Sequence, residues 1–210
     1  MWSTGRAAPA RKRPELKARG QAQWQAQWQE NLDPGLPAEE MARMDKAPAL
    51  SPILVVTTGG TFDKQYFDAL SEYQIAESVI EKLLKVARVA HPVRVVELMR
   101  KDSLELTDED RAAIRAIVAS APEAHVVITH GTDTMTDTAR VLADVPGKTT
   151  VLTGALAPAR FAESDATFNL GMAFACCQSA PEGVWITMNG SVFNGLQVRK
   201  DRDAGKFVAL

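Results

Sequence analysis

The sequence predicts an α/β protein: a three-layer αβα sandwich around a mainly parallel, flavodoxin- or Rossmann-like sheet, with a C-terminal hairpin. Three observations carry this. From Pro52 onward, short β-branched apolar runs alternate with stretches of helical periodicity, the pattern of a parallel sheet covered on both faces. Several of those runs end in glycine- and hydroxyl-rich turns, as at the ligand edge of such sheets. Apolar residues make up 46% of the 210-residue chain and charged ones 24%, a balance that can build one core and excludes wholesale disorder, collagen and coiled coil.

Ile53–Thr58 is the first strand, an uninterrupted apolar and β-branched run suited to burial on both faces. Residues 74–90 place Ile75, Val79, Ile80, Leu83, Leu84 and Ala87 at helical spacing. Val93–Leu98 is the second strand. Thr107, followed three residues on by Asp110, has the form of a capping box and opens a helix through Ser120. His125–Thr129, Thr149–Thr153 and Val184–Met188 are the third, fourth and fifth strands, with helices over 136–143 and 165–177 between them. Asn189-Gly190 is a strong hairpin signal, and a last strand is expected around Lys206–Leu210.

Residues 1–50 differ in kind, which divides the chain into an N-terminal extension (1–50) and a catalytic domain (51–210). Residues 1–29 carry six basic residues against one acid, whereas 51–210 carry 16 basic and 20 acidic. The extension has three of the four tryptophans and no periodic apolar face. It is therefore expected to be disordered, with a short helix near 37–44, and to be a role-free extension, a basic tether or a transit peptide. The net charge of −2 argues against a dedicated nucleic-acid binder. No 18-residue apolar stretch exists, so no membrane span is expected. Cys176 and Cys177 are adjacent inside a helical pattern and read as small buried groups in a reducing, cytoplasmic protein.

The chemistry sits at the strand ends. The first strand runs into Thr57-Thr58-Gly59-Gly60-Thr61, where two glycines let backbone amides approach an anion or carbonyl oxygen and a hydroxyl follows at once. This is neither a Walker loop nor Gly-x-Gly-x-x-Gly. The third strand ends in His130-Gly131-Thr132-Asp133-Thr134 and the fourth in Thr153-Gly154-Ala155, bringing more hydroxyls and a carboxylate to one crevice. A threonine nucleophile needs a partner to take its proton, and Lys200, after the fifth-strand hairpin, can reach this edge. His130 reads as a structural group closing its strand. No His, Cys and carboxylate cluster has metal spacing, so no metal is expected.

With these residues in order, the chain resembles the bacterial-type L-asparaginases (asparaginase/glutaminase amidohydrolases). The likeness rests on Thr-Gly-Gly-Thr after the first strand and His-Gly-Thr-Asp-Thr-Met after a later one. It is reinforced by Gly154-Ala155-Leu156-Ala157-Pro158, then Ser164-Asp165 and Phe168-Asn169-Leu170, and covers about three-quarters of the chain, roughly 53–208. The resemblance implies hydrolysis of the side-chain amide of L-asparagine through an acyl-enzyme, a reaction that calls for no cofactor, and leaves the choice between L-asparagine and L-glutamine open. It implies Thr61 as nucleophile. Thr132, Asp133 and Lys200 would form the supporting proton-transfer network, with Asp133 also gripping the substrate α-amino group.

The family's loop tyrosine has two counterparts, Tyr66 and Tyr73, and the choice stays open. For the substrate α-carboxylate, Arg100-Lys101-Asp102-Ser103 retains Asp102 and leaves the donor open between Ser103 and Arg100, with Gly60 and Gly131 lending backbone contacts. The sequence ends shortly after the last expected strand, so it resembles the short, single-domain form of the family, expected to be a homo-oligomer. The rival readings are a flavodoxin-like small-molecule binding module and an amidase or glutaminase acting in tRNA-dependent amidation.

Overall fold

The computed structural model describes residues 50–67, 72–75 and 78–210, and residues 50–210 form one compact unit. The expected disorder of the N-terminal extension and the helix near 37–44 lie outside the described residues. In chain order the elements are strand β1 (Ile53–Gly59), strands β2 (Lys64–Phe67) and β3 (Glu72–Ile75), helix α1 (Ile80–Ala87) and strand β4 (Val93–Lys101). Helix α2 (Asp108–Ser120), strand β5 (His125–Thr129), helix α3 (Met135–Leu142), strand β6 (Thr149–Thr153) and helix α4 (Ala166–Ser179) follow. The chain closes with strands β7 (Gly183–Met188), β8 (Ser191–Asn194), β9 (Val198–Asp201) and β10 (Lys206–Ala209).

Six strands form the main sheet in the order β4-β1-β5-β6-β7-β8. All neighbours are parallel except β7 and β8, which pair antiparallel. The chain enters at β1, moves outward to β4, then crosses to β5 and continues the other way. The strand order therefore reverses between β1 and β5, and the crevice beyond their carboxyl ends is where such sheets bind ligands.

Alternation along the strands builds the two cores. Leu54 and Val56 on β1, Val126 and Ile128 on β5 and Ile186 on β7 face α2 and α3, packing with Ile114, Val118, Met135 and Leu142. Ile53 and Val55, Val127 and Val151 face the opposite way, packing with Ile80 of α1 and Leu170, Ala173 and Cys177 of α4. Burial on both faces explains the unbroken apolar strands. Both cysteines are free and buried, and burial pushes their thiols up to about 11 and about 12. No described helix is long and apolar enough to cross a membrane.

Local signals account for several boundaries. Thr107 and Asp110 make the reciprocal capping box at the start of α2. Asn189 and Gly190 take φ of 55° and 75°, the left-handed pair a two-residue hairpin needs to join Met188 to Ser191. The expected helix over 74–90 is corrected. Glu72–Ile75 is instead a strand paired antiparallel with Lys64–Phe67, and the helix runs only from Ile80 to Ala87. Ile75 shares the helical spacing of Val79 and Leu83, but the segment's backbone bonds go to β2. The helix begins where the Val79 N–H finds the carboxylate of Asp63, at 3.3 Å. The second strand continues past the expected Leu98 to Lys101, which pairs with Gly59 across an irregularity in register.

Candidate active site

Three loops at the carboxyl edge meet through glycines. Gly60, at φ 76° and ψ −168°, lies so close to the β5 loop that a Cβ there would stand 2.6 Å from Gly131 N. A Cβ on Gly131 would in turn stand 2.5 Å from Ser103 Oγ. Gly59 leaves no room beside Lys101 N, at 2.7 Å, and Gly154 packs on His130 O and Thr132 Cγ2. Backbone contact this close needs residues without side chains, and Gly60 also needs its positive φ. These contacts bring the Thr61 turn, the Gly131–Asp133 segment and Ser103 into one crevice.

Thr61, half-buried, opens a single 3-10 turn, Thr61–Asp63. Gly60 N donates to Lys101 O at 2.9 Å, and Ala159 N donates to Phe62 O at 3.1 Å, so the turn is stitched to both flanking loops. Phe62 is wholly buried in the core beneath it. Asp63 is 1% exposed. Burial raises its carboxyl above the ordinary range; Ser78 and Val79 hydrogen bonds and the charge of Arg160 pull it down, and Glu97 adds to the rise.

Directly after Gly131 lies a compact polar cluster. Lys200 Nζ donates to Thr132 Oγ1 at 2.7 Å and to Asp133 Oδ1 at 3.0 Å. Arg202 Nε stands 3.8 Å from the same carboxylate. Lys200 reaches this place because the β9–β10 ribbon is fastened to the body. Val198 and Phe207 are buried in the core, and Phe207 N donates to Asn189 Oδ1 at 2.9 Å.

His130, wholly buried, has Nδ1 2.7 Å from Gly131 O and Nε2 2.8 Å from Thr138 Oγ1. A carbonyl only accepts, so Nδ1 carries the proton and Nε2 accepts from the Thr138 hydroxyl. Desolvation pushes its pKa down to about 4, so it is neutral at pH 7.

At the end of β4, Asp102 caps the short turn carrying Ser103, accepting from Leu104 N at 3.2 Å. It also pairs with Lys64 at 2.8 Å. Burial presses its carboxyl upward, but the Lys64 and backbone bonds outweigh that and hold it below the usual range. Ser103 is buried beside Gly131 with its hydroxyl unpartnered. Arg100 is exposed and ion-paired to Glu97. The structure thus sets Ser103, rather than the Arg100–Glu97 pair, against Gly131. Tyr66 and Tyr73 lie directly opposite one another in the β2–β3 register.

The Ser164-Asp165 and Asn169 motif holds a loop in place. The Asp165 carboxylate accepts from Leu156 N and Ala157 N, at 2.9 and 3.0 Å, and from Asn169 Nδ2 at 2.8 Å. Ser164 Oγ donates to Ala157 O at 2.8 Å. The same loop supplies the Ala159 bond to Phe62, so the motif supports the Thr61 turn from below. Asp63 and Lys64 were not among the sequence-predicted residues. Their only local signal is a charged pair directly after Thr-Gly-Gly-Thr-Phe.

The chain is similar to known proteins in sequence and in fold. The family model for asparaginase, N-terminal, matches residues 52–206. A glutaminase-asparaginase of Pseudomonas aeruginosa is 30% identical over 188 residues, covering 82% of this chain and 49% of the relative. An L-asparaginase of Thermococcus kodakarensis is 27% identical over 159 residues, covering 73% and 48%. A solved structure of the thermostable L-asparaginase from the same organism superposes with TM-score 0.67 at 26% identity, covering 76% of this chain and 51% of that one. A solved structure described as a probable cytoplasmic L-asparaginase of Campylobacter jejuni gives TM-score 0.61 at 27% identity, over 76% and 51%. The chain spans about half the length of the curated relatives it matches.

Proposed function

The chain belongs to the asparaginase family, and from that membership we propose that it hydrolyses the side-chain amide of L-asparagine to L-aspartate and ammonia. The observation that carries the reading is that Thr132 and Asp133, both bonded to Lys200, follow directly on Gly131, which packs against Gly60, the residue before Thr61. A hydroxyl nucleophile and a proton-transfer group on touching loops at one sheet edge suit acyl transfer.

In this mechanism Thr61 Oγ bonds to the amide carbon. The Oγ proton passes by way of the Thr132–Lys200 pair to the leaving nitrogen, the carbon–nitrogen bond breaks and ammonia departs. The tyrosine of the β2–β3 hairpin, Tyr66 or Tyr73, assists from the other side. Water then attacks the threonyl ester, its proton returns to Thr61 Oγ, and aspartate is released. A backbone N–H after Gly60, whose own N–H is held by Lys101 O, stabilises the oxyanion; removal of one such donor costs on the order of 10²–10³-fold in rate. Asp133 receives the substrate α-ammonium, and the buried, unpartnered Ser103 hydroxyl receives the α-carboxylate, with Gly60 and Gly131 letting it approach.

The relatives named glutaminase-asparaginase extend the proposal to L-glutamine as a second substrate. Residues 51–210 are the catalytic domain on this reading. The setting is cytoplasmic, as for the C. jejuni neighbour, and the protein acts as a homo-oligomer, which light scattering of the full chain checks.

Ammonia release from L-asparagine and L-glutamine, for the full chain and its Thr61→Ala variant, tests the function. Release by the wild type and a loss on the order of 10⁴-fold or more in the variant are expected, as when an acylating hydroxyl is removed. No release from either amide, or undiminished turnover in a folded variant, would refute it.

A further inference from the structure

Three tethers hold the Thr61–Asp63 turn. Two are backbone bonds, from Gly60 N to Lys101 O and from Ala159 N to Phe62 O. The third is a side chain, the Asp63 carboxylate, which accepts from Val79 N and from the Ser78 hydroxyl. It spans 16 residues, and those residues are not arbitrary. Asp63 directly precedes β2, while Ser78 and Val79 follow β3 and open α1. The bond therefore closes the base of the hairpin in which Tyr66 stands opposite Tyr73.

Lys64, the next residue, reaches the other way and pairs with Asp102, beside Ser103. The consecutive side chains of Asp63, at the end of the 3-10 turn, and Lys64, at the start of β2, thus fix the root of this hairpin to the start of α1 and to the end of β4. Burying a carboxylate at 1% exposure is unfavourable unless its bonds are needed. A neutral residue at the foot of the hairpin would avoid that cost.

From this geometry we infer that Asp63 is a positioning residue: it ties the two ends of the hairpin together and so sets where the Tyr66–Tyr73 pair stands relative to Thr61. The inference rests on the proposed role of Thr61. Asp63 itself touches no reacting atom. Asparagine at this position keeps an acceptor for Val79 N–H and removes the charge, whereas alanine removes the tie altogether.

The test compares Asp63→Ala and Asp63→Asn in the full chain by amide hydrogen exchange and by ammonia release from L-asparagine. Asp63→Ala should speed exchange in β2 and β3 about tenfold or more, with β1 and β5 unchanged, as when a local opening is eased. It should lower kcat by on the order of 10–100-fold, the size of effect a misplaced catalytic group produces, with a smaller change in KM. Asp63→Asn should restore both towards wild type. Should Asp63→Ala not fold, Ser78→Ala removes one donor and is expected to raise exchange in the same two strands to a lesser degree.

Unchanged exchange in β2 and β3, faster exchange with kcat intact, or an Asp63→Asn variant as impaired as Asp63→Ala would each overturn the inference. Wild-type protein that releases no ammonia would instead sink the proposed function, and the positioning role with it. The exchange data would still decide the tie between Asp63 and α1.

Discussion

Lys200 meets Thr132 from 68 residues away in the chain, and what it can do there follows from its donors. Its Nζ–H groups have Thr132 Oγ1 and Asp133 Oδ1 as acceptors, and the Thr132 proton is free to point into the crevice. Methionine would keep the length and apolar stem of this side chain and delete the donors. In the proposed reaction Lys200→Met should lower kcat by roughly 10²–10⁴-fold, the range for a lost proton-transfer group. Its thermal midpoint should stay close to that of the wild type, because the β9–β10 ribbon is held by Val198 and Phe207 rather than by Lys200. Ammonia release with a melting curve on the same sample checks both, and a fully active, folded variant would exclude Lys200 from the chemistry.

At the scale of the sheet, four strands end in a row of threonines. Thr57, Thr129, Thr153 and Thr187 are register partners across β1, β5, β6 and β7, and all are fully buried. Thr153 Oγ1 donates to Thr187 O at 3.0 Å. The hydroxyls of Thr57, Thr129 and Thr187 have no hydrogen-bond partner among the described residues. Valine matches threonine in shape, so its effect at each position reports the hydroxyl alone. Thr153→Val should destabilise by about 1 kcal/mol through the lost bond, while Thr129→Val should stabilise by a similar amount by removing an unsatisfied group. Urea midpoints measure both; equal losses at the two sites would mean that the Thr129 hydroxyl is satisfied.

The sheet was legible for the same reason that it is stable. Strands buried on both faces cannot alternate, so they appear as unbroken apolar runs, and the Thr107 box and the Asn189-Gly190 turn act over two or three residues. The β2–β3 hairpin was not legible, because Ile75 falls in phase with Val79 and Leu83 and the bond that starts α1 comes from Asp63. Spacing alone did not identify Lys200 or Ser103 either. Family resemblance pointed to Lys200, and the contact that sets Ser103 against Gly131, on which the proposal prefers it to Arg100, joins residues 28 apart in the chain.

For the molecule as a whole, the acid side of the stability curve turns on His130. Its folded pKa lies near 4 against an ordinary value of 6.5. Above pH 6.5 the ring is neutral in both folded and unfolded chains and contributes no pH dependence. Between 6.5 and about 4 the unfolded chain binds a proton that the folded one refuses, so stability falls as the pH falls, and below the folded value the loss levels off. Integrated over that window the loss is roughly 3 kcal/mol.

The paired carboxylates Asp102, Asp110 and Glu123 are held low by Lys64, Lys101 and Arg94, so their losses come in at lower pH. Asp63, raised by burial, acts in the opposite sense: its cost is absent below the unfolded carboxylate range and grows as pH rises through its folded value. In the interval from pH 6.5 to 4.5 His130 draws stability down as the pH falls, and any titration of Asp63 there acts against it. Urea unfolding at pH 7, 5.5 and 4.5 should show the wild type weakening stepwise. His130→Gln, which keeps one donor and one acceptor for Gly131 O and Thr138 without a titrating ring, should start less stable and stay nearly level. A variant whose stability fell as steeply as the wild type's would assign the acid sensitivity to other groups.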